Sequence, residues 1–137
     1  MKARVKWVEG MAFMAESESG HAQILDGAPE IGGRNLGARP MEMVLMGLGG
    51  CTAIDVMMIL RKQRQDVVDC WIELDAERSE SVPKVFKKIH LRYMLRGNDL
   101  DPRHVERAVN LSAEKYCSVS MMLRDSVALT HSFEIVD

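Results

Sequence analysis

The stretch from Met43 to Leu60 constrains this chain more than any other: wound as a helix it is apolar on every side, and only Thr52 and Asp55 interrupt it. Pro40 suits the first helical position, where its missing N–H costs nothing, and Glu42 falls in the first turn, where the helix dipole favours a negative charge. A helix of this length and apolarity either crosses a bilayer or is buried in a core or an interface. Gly47, Gly49, Gly50, the carboxylate of Asp55 and the lack of a second such segment argue for the soluble alternative. The glycines leave room for a neighbouring backbone. The segment is therefore expected to be a central helix, packed in the core or against its own copy.

The rest of the 137 residues supplies strands and shorter helices, and the length suits one domain spanning 1–137. Residues 2–8 alternate charged and apolar side chains as a half-buried strand does, and Met11–Glu16 and His21–Leu25 continue as strands. Asp26–Arg39, punctuated by Gly27, Pro29, Gly32, Gly33 and Gly37, reads as a long loop of the kind that often carries function. Val67–Arg78 places Cys70, Ile72, Leu74 and Ala76 on one face and an acidic row on the other. Val85–Arg96 places Ile89, Leu91, Tyr93 and Leu95 inward and a basic row outward. Opposite charges across a strand pair favour pairing, so these two form an antiparallel hairpin closed at 79–84. Asp101 caps a helix with Pro102 at its first position, and Val105, Ala108, Val109, Ser112 and Tyr116 make its inner face. A short helix follows over Ser118–Arg124, and Val127–Val136 is a last strand. This order makes the fold class α+β, with antiparallel sheets around a long central helix.

Charge and composition narrow the function. A net charge of -2 spread along the chain gives no footprint for nucleic acid or for an acidic membrane surface. The first residues hold no apolar leader core, so the cytoplasm is the expected compartment. Three cysteines without C-x-x-C spacing make a poor disulfide framework, and in a reducing compartment they are either small core residues or redox centres. The four histidines are scattered without ligand spacing, so no metal is expected; the loop glycines lack a G-K-[ST] signature, so no phosphate-bearing cofactor is expected either.

Cys51 lies in mid-helix among Met, Leu and Ile. It is either a buried space-filler or a nucleophilic thiol in an apolar pocket, and activation needs a nearby positive charge. Asp55, one turn on, opposes thiolate formation unless a cation pairs with it, and is read as the partner of a buried Arg or Lys. Cys117 falls at a break between helices, where a helix N-terminus would acidify a thiol, or where a small residue simply packs. Cys70, on a core face, is read as structural.

Pro40-Met41-Glu42-Met43-Val44-Leu45 leading to Cys51, followed by Cys117 at a helix break, resembles the OsmC/Ohr superfamily. Arg4–Gly10, Gly50–Val56 and Leu111–Cys117 resemble its YhfA-like branch, and the likeness runs through the whole chain. The resemblance implies an intertwined homodimer that reduces organic hydroperoxides without a cofactor. Cys51 would be the thiol that attacks the peroxide and Cys117 the one that resolves it, with an external dithiol as reductant. Three positions depart from the family pattern. Met41 stands where a glutamate directly follows the proline, leaving Glu42 as the nearest acid, and Ser118 stands where a proline follows the second cysteine. His21 stands near the place of the activating arginine, so Arg34, Arg39 or His21 is left to supply the positive charge. The competing reading is a non-enzymatic member that binds an apolar small molecule or senses redox state. A third makes both cysteines packing residues.

Overall fold

The computed structural model describes residues 1–137. The chain packs as two compact units, Met1–Met46 and Gly47–Asp137, and the boundary between them falls inside the long helix α1 (Pro40–Lys62).

The first unit is an antiparallel meander of β1 (Ala3–Glu9), β2 (Ala12–Ser17) and β3 (Ala22–Asp26), in that order. Its turns need left-handed backbone, which Gly10 (φ 53) and Gly20 (φ 90) supply. The loop after β3 is organised by the Asp26 carboxylate. Its Oδ2 accepts the Arg34 N–H at 3.0 Å and the Leu36 N–H at 3.1 Å. Asp26 is buried, yet these amides, Leu36 foremost, hold its carboxyl below the usual range against the opposing effect of burial. Glu42 acts locally, at the start of α1. Its Oε1 accepts the Arg39 N–H at 2.8 Å, one half of a capping box.

The second unit carries β4 (Asp66–Arg78), β5 (Phe86–Asn98) and β6 (Ala128–Ile135), with β5 in the middle. β4 and β5 pair antiparallel, as the opposite charges of their faces predict, with Asp69 opposite Arg96, Glu73 opposite Arg92 and Glu77 opposite Lys88. Arg92–Glu73 closes to 3.3 Å and Arg96–Asp69 to 3.6 Å. Half-exposed pairs of this kind contribute little stability, but they penalise any slipped register. β6 departs from the all-antiparallel expectation and runs parallel to β5. The intervening helices α2 (Pro102–Leu111) and α3 (Ser118–Leu123) provide the crossover that a parallel neighbour requires. Asp101 caps α2 as predicted, accepting the Arg103 N–H at 2.9 Å.

Within this unit, α1 buries one stripe and not every side. Leu48, Thr52, Val56 and Leu60 recur every fourth residue and are all 0% exposed. Ile54 and Met58, on the other side, are 64% and 54% exposed. Ile89, Leu91, Tyr93 and Leu95 of β5 and Val105, Ala108 and Val109 of α2 complete the core. Of the helix glycines, Gly49 alone makes the close approach expected, and to a side chain: a Cβ there would stand 2.8 Å from Leu74 Cδ1, whereas Gly47 and Gly50 face open space.

Candidate functional site

Three elements of the second unit converge on the thiols. α1 brings Cys51, Thr52 and Asp55, β5 brings Tyr93, and the junction between α2 and α3 brings Ser112 and Cys117. The junction has its own geometry. The Cys117 N–H reaches back to the Ser112 carbonyl at 2.9 Å, a wide π-type turn over Ser112–Tyr116. The extra residue in that turn shifts the helical phase, so Tyr116, expected on the inner face, is 52% exposed. It also ends the helix so that Cys117 becomes the N-cap of α3, its Sγ accepting the Ser120 N–H at 3.4 Å.

The Sγ atoms of Cys51 and Cys117 and a carboxylate oxygen of Asp55 all lie within 4.8 Å of one another. Cys51 is half-buried and Cys117 fully buried. The helix-terminus acidification expected for Cys117 is outweighed. Burial pushes its thiol pKa up, and the Ser120 contacts only partly oppose this. Cys70, read as structural, sits half-buried on the inward side of β4, its pKa raised by burial and then by Asp69.

Asp55 forms no ion pair with the expected buried cation; it accepts a hydrogen bond from Ser112 Oγ at 3.2 Å. Behind it runs a chain of hydroxyls. Thr52 Oγ1 is 2.7 Å from Ser112 Oγ and 2.6 Å from the Tyr93 hydroxyl. Ser112 Oγ also lies 3.3 Å from the Thr52 carbonyl, so its one proton is shared between that carbonyl and Asp55, with Thr52 donating to Ser112 and Tyr93 to Thr52. Burial pushes the Tyr93 pKa up to about 12, which keeps it a donor. Sequence reasoning missed Ser112 and Tyr93 as parts of the site. The available signal was the pair Thr52 and Asp55, polar in an otherwise apolar helix.

A cavity of about 680 Å³ opens beside Asp55. Met58, Ile59 and Leu111 give it apolar walls, and Lys62 and Arg107 give it positive charge. The residues that the sequence offered as the source of that charge have partners inside the first unit. Arg34 pairs with Glu9, and Arg39 Nη1 donates to Asn35 Oδ1 at 2.9 Å and to the Gly37 carbonyl at 3.1 Å. His21 is exposed at the turn into β3, its N–H on Ser17 Oγ at 3.2 Å.

An α+β chain of this element order, with one thiol on the long helix facing another at a helix break, defines a class, and the chain belongs to it: the OsmC-like protein family matches residues 32–132. It is 54% identical to Protein YhfA of Escherichia coli K12, the alignment covering 99% of this chain and 98% of that protein. A hypothetical protein of Aquifex aeolicus has the same fold, with a TM-score of 0.87 and 31% identity over 98% of this chain and 95% of the other. The organic hydroperoxide resistance protein OhrB of Bacillus subtilis shares the fold alone, with a TM-score of 0.64 at 20% identity over 98% of both chains. α1 is long and apolar enough to cross a membrane by length and composition, but the family is one of soluble proteins.

Proposed function

We propose that this chain reduces organic hydroperoxides with the thiol pair Cys51 and Cys117. The observation that carries the reading is the approach of the two sulfur atoms to within 4.8 Å, which side-chain rotation can close to a disulfide. Cys51, the more accessible of the two, attacks as the thiolate. Its sulfur takes the distal peroxide oxygen, the O–O bond breaks, and the alkoxide leaves as the alcohol after taking a proton. Cys117 then attacks the Cys51 sulfenic acid, a disulfide forms and water leaves. An external dithiol restores both thiols by exchange and ends as its own disulfide. The apolar walls beside Asp55 suit an alkyl peroxide, and Lys62 and Arg107 line the same cavity. The name of OhrB supports hydroperoxides as the substrate class.

The chain would act as a homodimer in the cytoplasm, where thiols stay reduced. Support comes from apolar side chains that stay exposed in the single chain, Val5, Trp7, Ile54 and Met58 among them. One observation favours a second reading. Cys117 is fully buried and burial raises its thiol pKa, which suits a slow redox sensor that reacts once. Peroxide equivalents consumed per chain with excess dithiol separate the two. Many equivalents mean a peroxidase, and a single equivalent means a sensor.

A further inference from the structure

We propose that the reduced chain binds a zinc-type divalent cation between Cys51 Sγ, Cys117 Sγ and the carboxylate of Asp55. The inference goes beyond peroxide reduction and needs only the reduced thiols. Asp55 motivates it. Its carboxylate, with no Lys or Arg paired to it, stands within 4.8 Å of two sulfur atoms as a third ligand-type atom. The same three groups are mutually compatible once a dication stands among them, because it stabilises both thiolates and the carboxylate together.

The geometry suits the ion. Around tetrahedral zinc, with Zn–S of about 2.3 Å and Zn–O of about 2.0–2.2 Å, neighbouring ligand atoms stand roughly 3.6–3.8 Å apart. Contraction from 4.8 Å at most is within reach of side-chain rotation. Cys51 and Asp55 are one helical turn apart on the same face of α1, and the Ser120 N–H orients Cys117. Ser112, Thr52 and Tyr93 orient Asp55 from behind, as the outer partners of ligating carboxylates do. Two thiolates select zinc, or its spectroscopic substitute cobalt, over magnesium and calcium. Three protein ligands leave a fourth position for water. Binding turns both thiols into thiolates, so two protons leave per ion and no electron moves. The disulfide form offers no thiolate and does not bind.

The experiment uses the full-length chain, reduced and free of oxygen. It is titrated with Co²⁺, then with Zn²⁺ against a chromophoric chelator. The expected result is a sulfur-to-cobalt charge-transfer band that saturates at one ion per chain and is displaced by Zn²⁺. Cys51→Ser and Cys117→Ser should each abolish the band, Asp55→Asn should weaken binding, and Ser112→Ala, behind Asp55, should weaken it by roughly 10–100-fold. On the unaltered chain, Zn²⁺ should release two protons per ion and protect Cys51 from iodoacetamide, so the outcome does not depend on any variant folding. Absence of the band, its persistence in Cys51→Ser, or Zn²⁺ uptake without proton release overturns the proposal. These readouts involve no peroxide, and turnover is measured with a chelator present, so either reading can fail without the other.

Discussion

Asp55 sits where two roles meet. The helix places it one turn from Cys51, so it belongs both to the surroundings of the peroxide-reducing thiols and to the proposed cation site. The hydroxyl chain that ends on it makes the residue testable. Tyr93→Phe removes the first donor of that chain, and an expected loss of roughly 0.5–1.5 kcal/mol is read by urea unfolding. Thr52 stays bonded to Ser112, which keeps the loss in that range; no loss would mean that Tyr93 only fills space. The two cysteines were legible because their neighbourhoods, Gly50–Val56 and Leu111–Cys117, resemble a family pattern. The partner of Asp55 was not. Helical spacing says which way Asp55 points but not what comes to meet it, and Ser112 arrives from a turn whose π-type geometry the sequence does not signal.

At the scale of elements, the antiparallel hairpin of β4 and β5 was legible, because alternation fixes which side chains face inward and the acidic and basic rows favour pairing; the exact register was not. The direction of β6 was not, since a strand pattern reads the same parallel or antiparallel; the crossover decides it. For α1 the pattern misled in one respect. A segment apolar all round predicts burial all round, whereas one stripe is buried in the chain itself. That division makes a paired prediction. Leu60→Ala, in the buried stripe, should cost roughly 2–5 kcal/mol in denaturant unfolding. Ile54→Asp, on the exposed side, should leave the fold intact by circular dichroism but shift sedimentation from dimer towards monomer. An unchanged sedimentation profile would contradict a dimer seated on this face of α1.

Taken over the whole molecule, three groups share one direction of titration. Cys70, Cys117 and Tyr93 are held in their protonated forms, with raised pKa values. The fold therefore binds those protons more tightly than the unfolded chain does. Their contribution is complete below the ordinary cysteine value of 9.0 and is lost as pH rises through the raised values, reaching about 12 for Tyr93. Under reducing conditions the melting temperature should hold to about pH 9 and then fall, and Tyr93→Phe should flatten the upper part of that fall. A melting temperature constant through this range would contradict the burial of these groups.

The thiol pair itself is tested most directly by following cumene hydroperoxide consumption with a lipoyl-type dithiol, in the unaltered chain and in Cys51→Ser and Cys117→Ser. Repeated turnover is expected, abolished by Cys51→Ser and reduced to a single equivalent or less by Cys117→Ser, with a Cys51–Cys117 disulfide found by mass spectrometry after mild oxidation. Turnover that survives Cys51→Ser, or an unaltered chain that consumes no peroxide, would contradict the account.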